Sequence, residues 1–507
     1  MKYILGIDVG TSSVKAVLFD EGGREVYSAG RASHTIRQGN TAEQDMLAVW
    51  ENVKSCIRSV AEEAADVRGD IVGIGITGQG EGCWLVDQNG QPLRNAILWC
   101  DGRAAEEVAA ITRDAPEIAR LYHKTVGCIP LSGSAMMLLK WMSIHQPEIL
   151  ERAFRMFNCK DWIRYRLTGV MAGEISDAFM SLIDAESDTV AEKLLEALGL
   201  SRYRRLIADP LPSDAMAGAL TEEAAGELGL PAGLPVIAGA VDTSATALGL
   251  GAVRAGDACV ILGTTCASEI ILTKEGCRFG EGNSRYEKHA VPGLYMNLQP
   301  TMNGTPNIDW ALRTIAWTED YRQVDDILRR VSVGSGGVIY HPYIGSSGER
   351  APFYHPYACA SFMGLSQSTN GDALVRAVYE GLCLAIRDCL GDVKGGGTLY
   401  LAGGGAKSEV WPQILADAVG MTVAIPDGKE IGARGVALIA GVALGLYADY
   451  EEAVEKTRSY SRVYHPDPVR AGQYDLLYGL YREMRLQYTA IWDRRRAVME
   501  AVAAAEQ

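Results

Sequence analysis

No GxxxxGK[ST] loop occurs anywhere in the 507 residues, which excludes the commonest sequence device for cradling ATP phosphates. Paired metal ligands are missing too: the 11 cysteines are scattered without a CxxC, and the 7 histidines form no HxxxH pair. That argues against a zinc site or a disulfide framework and suits reduced thiols in the cytoplasm. No apolar run is long enough to span a bilayer. The longest, GVALIAGVALGLY from Gly435 to Tyr447, is rich in Ala and Gly and reads as a buried helix. The first apolar run is broken by Asp8 with no cleavage-site pattern after it, so no signal peptide is expected. There is no basic excess either, since the formal charge is −15. Nucleic acid and anionic membranes reward clustered Lys and Arg, so neither is an expected partner.

What is present describes a globular enzyme-sized chain. Hydrophobic residues make up 48% and charged residues 22%, which excludes disorder, and the length calls for two or more domains. The stretch YILGIDVGTSSVKAVLFD, Tyr3 to Asp20, reads as a strand, a turn of Gly10, Thr11, Ser12 and Ser13, and a second strand. Glycine and small hydroxyls let backbone N–H groups converge on one point, as a phosphate oxygen requires. Asp8 would face that point, where a carboxylate is tolerated only with a hydrated Mg²⁺ between. An ordinary surface hairpin has the same signature.

Met46, Leu47, Trp50, Val53 and Ile57 mark one face of a helix over Glu43–Glu63. A buried strand follows at Ile71–Ile76, and strand pair, helix, strand indicates an α/β layer fold. Gly73, Gly75 and Gly78 spell GxGxxG, yet the chain continues as strand where a dinucleotide site needs a helix. Gln79 and Glu81 stand just past the carboxyl end of that strand, the position where open α/β sheets bind ligands. In Ala96–Val108, Trp99, Asp101 and Arg103 alternate, which places them on one face of an extended segment. A structural ion pair beside a core Trp explains that pattern equally well. Asp242 ends the apolar strand VIAGAVD and can serve as a catalytic carboxylate, as a helix N-cap, or as both.

The opening theme returns in ACVILGTTCASEIIL, Ala258–Leu272, with a turn at Gly263, Thr264 and Thr265. Two such hairpins suggest a duplicated domain with a boundary near 245 and ATP phosphates in the cleft between the copies. The domains are then 1–245 and 246–507, the second ending in a helical tail from about 467. Gly403–Gly405 is a triple-glycine turn before a helix from about Ser408, and would allow close approach of a ring or ribose.

The eight segments GIDVGTSSVKAVLFD, GITGQGEGCWLVD, AILWCDGRAAEE, GAVDTSATALGLG, VILGTTCASE, GERAPFYHP, FMGLSQSTNGDALVRAVYEGL and LAGGGAKSEVWPQILAD together resemble the FGGY carbohydrate kinase family through most of the chain. The resemblance implies an α/β fold of two ribonuclease H-like (actin-like ATPase) domains closing over a cleft. It implies transfer of the γ-phosphate of MgATP to a sugar or polyol hydroxyl. Asp242 becomes the catalytic base, and Asp8 the carboxylate near Mg²⁺, through water. Thr11, Thr264 and Thr265 fall to the phosphates, Gly404, Gly405 and Ser408 to the adenosine, and Gly10, Ser12, Lys15, Gly263 and Gly304 to ATP binding. Gln79, Glu81, Trp99, Asp101 and Asp242 fall to the substrate.

Where glycerol kinases carry Arg-Glu this chain has Gly80-Glu81, which suggests room for a longer substrate than glycerol. The GQGEGCW stretch is most similar to the xylulose and erythritol kinase branches, so a pentulose or tetritol is expected. A glycerol- or gluconate-type kinase, or an actin-like ATPase or sensor without sugar chemistry, stands as the alternative. The resemblance also suggests a cytoplasmic protein and a homodimer, with no interface readable.

Overall fold

A computed structural model describes residues 1–318, 320–391 and 396–505. The chain forms two compact units: Met1–Val253 with Leu272–Met296 and Gly428–Arg458, and Arg254–Ile271 with Asn297–Asp427 and Ser459–Gln507. Two segments from beyond the boundary expected near 245 therefore fold into the first unit.

In the first unit β1 (Tyr3–Val9), β2 (Ser13–Asp20) and β3 (Glu25–Ala32) form an antiparallel meander. Next to β1 lies β4 (Ile71–Gly78), parallel to it, and outward lie β6 (Pro235–Ile237) and β5 (Met216–Ala219), in the order β5-β6-β4-β1-β2-β3. Every residue of β1 except Asp8 is buried, as expected of a strand covered on both faces. One cover is the helix Met46–Glu63, whose first turn is capped by Asp45 accepting from the N–H groups of Leu47 and Ala48. The cap sets the helix phase so that Met46, Val49, Trp50, Val53 and Ile57 are buried, while Leu47, expected on that face, is 48% exposed.

In the second unit β7 (Ala258–Leu262) pairs antiparallel with β8 (Cys266–Thr273) and parallel with β9 (Thr398–Gly403). Beyond β9 come β10 (Thr422–Pro426), parallel, and β11 (Tyr460–Tyr464), antiparallel. The series β8-β7-β9-β10-β11 repeats β2-β1-β4-β6-β5 in order and in strand direction. The duplication read from two hairpins therefore extends to five strands. The helical tail starts where Asp467 accepts from the N–H groups of Val469 and Arg470, and runs over Pro468–Ala505.

The other face of the first sheet is covered by the apolar helix Ile431–Ala443, and this contact accounts for Gly75 within the GxGxxG run. An added Cβ at Gly75 would lie 2.2 Å from the Val436 carbonyl oxygen, and one at Gly73 would lie 2.4 Å from Leu444. Gly6 on β1 is equally close, 2.3 Å from the Ala433 oxygen. Gly6 and Gly75 are strand residues that let a helix backbone touch the sheet backbone, which no larger residue permits, whereas Gly73 meets the end of the Leu444 side chain. The same helix meets the helix Asp242–Leu250 through Gly249 and Gly435, whose Cβ positions would lie 2.1 Å and 1.8 Å from opposing carbonyl oxygens.

The segment Ala96–Val108 departs from its alternating pattern. Only Ala96–Ile97 is strand, and the chain then turns, with the N–H of Asp101 donating to Leu98 O at 3.0 Å and that of Gly102 to Asn40 O at 2.8 Å. Asp101 accepts from Ala42 N–H at 2.6 Å, so the loop folds around this buried carboxylate. Trp99, Asp101 and Arg103 consequently do not share a strand face.

Gly75→Ala is expected to lower stability by about 1–3 kcal/mol through overpacking against backbone. Gly69→Ala, where nothing lies within 4 Å, should stay within about 0.5 kcal/mol. Urea denaturation of both variants checks this; equal stability would mean that the helix does not press on the sheet.

Candidate active site

The first hairpin turn closes when Gly10 N–H donates to Ser13 O at 3.0 Å. Its position is fixed by a ring of side chains. Thr11 Oγ1 donates to Gln79 Oε1 (2.9 Å), Gln79 Nε2 to Gln44 Oε1 (2.8 Å), and Gln44 Nε2 back to Thr11 O (2.8 Å). Trp99 joins through its indole N–H, 3.0 Å from Thr11 Oγ1, and is 51% exposed. Trp99 is therefore a surface wall tied to the turn and not a core residue. The Thr11 hydroxyl is engaged on both sides, which leaves its backbone N–H as the group it can offer an anion.

Asp8, next to last in β1, lies directly across from Lys15. Burial pushes its pKa up to about 6 against the pull of Lys15. The Lys15 ammonium lies 2.6 Å from Glu430 Oε2, so its charge is already matched inside the unit. Gly432, in the first turn of the helix that follows Glu430, reaches Asp8 so closely that a Cβ there would lie 2.9 Å from Asp8 Oδ2.

Asp242 is the first residue of its helix, and Val241 holds the N-cap position. The preceding pair Ala240–Val241 hydrogen-bonds alongside Thr77 and Gly78 at the carboxyl end of β4. Thr77 Oγ1 donates to Ala240 O at 2.7 Å, and Val241 N–H to Ser176 Oγ at 2.9 Å. One Asp242 oxygen accepts from Thr243 N–H at 2.8 Å. Desolvation, then the charges of Asp8 and Glu287, raise its pKa to about 7. Glu287, which no sequence motif marks, is held by Thr243 Oγ1 at 2.6 Å.

Glu81 occupies a backbone conformation that L-residues avoid, φ +57°, followed by Gly82 at +83°. Its neighbours enforce this conformation. Glu81 N–H donates to Asp177 Oδ1 at 3.0 Å, and Glu81 Oε2 accepts from Ala135 N–H (2.7 Å) and Ser181 Oγ (2.6 Å). Asp177 in turn accepts from Asn158 and lies 3.7 Å from Lys160, a fully buried ammonium also bonded to Asp161 and Glu174. Such over-determined strain clusters at functional sites. Burial raises Glu81 to about 7.

Two expectations need correction. A Cβ at Gly80 would lie 2.6 Å from Val241 Cγ2 and 3.0 Å from Met180 Sδ, so this glycine serves close packing and opens no space for a longer substrate. Asp101 spends both oxygens on Ala42 N–H and on the backbone N–H and guanidinium of Arg103. It anchors the loop that carries Trp99 and presents no free acceptor.

In the second unit the turn Gly263–Thr265 is closed by Gly263 N–H donating to Thr265 O at 2.9 Å, with Thr264 and Thr265 exposed. Gly304 backs it: Thr305 N–H donates to Gly263 O at 2.8 Å, and a Cβ at 304 would lie 2.3 Å from that same oxygen. Gly404 and Gly405 open a short helical turn, Gly404–Lys407, before the helix Trp411–Val419. Gly405 is required by packing, since its Cβ would lie 2.1 Å from the Trp411 ring. Ser408 accepts from Trp411 N–H at 2.9 Å and donates to Asp325, and Arg462 braces the turn through Ser408 O at 2.8 Å.

The N-terminal domain of the FGGY family of carbohydrate kinases matches residues 3–249, and the C-terminal domain matches residues 258–444. The chain belongs to this family. This FGGY chain is 33% identical to the erythritol kinase of Brucella abortus over 97% of each chain. It is 28% identical to the xylulose kinase of Bacillus subtilis over 96% of this chain and 97% of that one. Among solved structures, xylulose kinase from Rhodospirillum rubrum superposes with a TM-score of 0.86 at 26% identity, covering 97% of this chain and 100% of that one. Gluconate kinase from Lactobacillus acidophilus shares the fold, with a TM-score of 0.86 at 24% identity over 97% and 99% of the two chains. The protein is thus a carbohydrate kinase of the two-domain actin-like α/β fold, using ATP to phosphorylate a small sugar-type substrate. No helix among the described residues is long and apolar enough to cross a membrane.

The raised pKa of Asp242 is also a stability statement. Its folded pKa of about 7 exceeds the ordinary 3.8, so the native state is penalised as pH rises from about 4 to 7, with the full penalty above 7. Asp242→Asn is therefore expected to be more stable than the wild type at pH 8 by about 1–3 kcal/mol, with the difference vanishing near pH 4. Denaturant titrations at the two pH values measure it, and a pH-independent difference would contradict the assigned burial.

Proposed function

We propose that this FGGY kinase transfers the γ-phosphate of MgATP to a hydroxyl of a neutral four- or five-carbon polyol or ketose. The carrying observation is a run of buried carboxylates whose charges reach one another: Asp8 and Glu287 both act on Asp242, and Glu287 acts on Glu81. Lys15 is matched by Glu430, and Arg285 is the cation facing Glu81 and Glu287. Such a setting repels an acid sugar and favours a substrate that brings only hydroxyls. The likeness to an erythritol kinase and to xylulose kinases supports the same size class.

Asp242 is the base. Its carboxylate takes the acceptor hydroxyl's proton as that oxygen bonds to the γ-phosphorus and the bond to the ADP oxygen breaks. A base with a pKa near 7 is matched to neutral pH. Within the first unit the turn at Thr11 and Ser12, and within the second the turn at Thr264 and Thr265, each carry backbone N–H groups suited to phosphate oxygens, and we assign Gly404–Ser408 to the adenosine. Magnesium fits Asp8, because this ion binds through one or two carboxylates plus substrate phosphates and needs no protein cage. When bound it neutralises phosphate charge.

ADP release with MgATP against erythritol, xylitol, the xyluloses, the ribuloses, glycerol and gluconate is expected to single out one neutral compound. Asp242→Asn should lose about 10²–10⁴-fold in kcat. The wild-type kcat/KM should fall as pH drops through about 7, because the base works only when ionised. Preferred turnover of gluconate would overturn the neutral-substrate reading. Retained activity in the variant would remove Asp242 from the mechanism.

A further inference from the structure

Glu287 is a buried carboxylate with half of its hydrogen bonding unused. It is 1% exposed, and its Oε2 accepts from Thr243 Oγ1 at 2.6 Å, whereas its Oε1 is buried and has no hydrogen-bond partner. A carboxylate oxygen left bare in a low-dielectric setting costs free energy that a protein normally avoids. The surroundings relieve it only in part through charge. Arg285 lowers the pKa of Glu287, yet burial outweighs it and the net shift is upward. His289, two residues on, is held neutral by burial, with a pKa lowered to about 4, and its Nδ1 accepts from Val291 N–H at 3.0 Å.

Placement makes the unused oxygen relevant to the reaction. The bond that holds Glu287 comes from the residue next to Asp242 in the chain, and the charge of Glu287 reaches Asp242 strongly enough to raise its pKa. The strand Tyr286–Lys288 packs on the helix Ile175–Ala178, which carries Asp177, the residue that fixes the Glu81 turn. Glu287 therefore belongs to the neighbourhood of both Asp242 and Glu81. The transferred phosphate does not complete it, because a bare carboxylate oxygen is an acceptor and phosphate oxygens offer it no donor. A sugar hydroxyl, which donates a hydrogen bond and carries no charge, completes it.

We propose that Glu287 is a specificity-determining residue whose Oε1 accepts a hydrogen bond from a substrate hydroxyl other than the one phosphorylated, with Thr243 as its positioning residue. The assignment rests on the neutral-substrate reading above. It gives that reading a concrete contact: Asp242 takes the reacting hydroxyl, and Glu287 selects for the presence and orientation of a second one. A site built to accept from a hydroxyl rejects the analogue that lacks it far more sharply than an apolar wall rejects a shorter chain.

Isothermal titration calorimetry of the full chain without nucleotide, against the same neutral sugars and gluconate, tests the proposal. The wild type should bind one neutral sugar, and Glu287→Gln, which keeps an oxygen for Thr243, should bind it about 10- to 100-fold more weakly. Of the monodeoxy analogues of that sugar, one should bind wild type and Glu287→Gln equally, which marks the hydroxyl concerned. Thr243→Val should weaken the same sugar by a smaller factor, and it carries the test if Glu287→Gln does not fold. Unchanged affinity in both variants, with the wild type still binding a neutral sugar, overturns the Glu287 assignment alone. Binding of gluconate and of no neutral sugar overturns the neutral-substrate reading, and with it the assignment.

Discussion

Direct backbone contact between the helix Ile431–Ala443 and the first sheet is the constraint on which the rest of this kinase depends. Gly6 and Gly75 allow the approach from the strands, and Gly249 and Gly435 allow it between helices. Because the two layers touch backbone to backbone, the functional ends of three elements are held in register. These are the end of β1 with Asp8, the start of the helix that begins at Asp242, and Glu430 with Gly432 before and within the covering helix. Side-chain packing alone, with its rotamer freedom, fixes positions less tightly than backbone contact does.

That rigidity supports an arrangement which is unfavourable in itself. Asp8, Glu81, Asp242 and Glu287 all carry raised pKa values with burial as the leading cause. The Glu81 backbone is strained as well. The restraining structure is a buried ionic network, in which Lys160 joins Asp161, Glu174 and Asp177, and Asp177 takes the Glu81 N–H. Stability is given up where these carboxylates are buried, and the network around them holds their geometry.

Much of this was legible in the sequence. The two hairpins, Asp242 at a strand end and the eight family segments stand out because turn chemistry and strand ends are local signals. The misreadings share a cause, which is long-range contact. Trp99, Asp101 and Arg103 alternate like a strand, yet Asn40 and Ala42 bend the loop around Asp101. Gly80 looked like vacant space until Val241 and Met180 filled it. The GxGxxG run, set aside as a dinucleotide site because strand follows it, has one glycine, Gly75, pressed by the backbone of a helix more than 350 residues further along the chain. Glu287 sits in YEKHAVPG, where nothing local distinguishes it from a surface residue.

The same remote helix sets an order of events during synthesis. When β1 to β6 have left the ribosome, the sheet face that carries Gly6 and Gly75 is still bare, because its cover, Ile431–Ala443, has yet to be made. At about 5–20 residues per second, that face waits on the order of ten seconds or more for its cover. Two of the three segments of the second unit, Arg254–Ile271 and Asn297–Asp427, are translated in the meantime. The first unit to emerge thus stays open until residues 428–458 follow, and the amino-terminal half of this kinase cannot be separated from them without exposing its core.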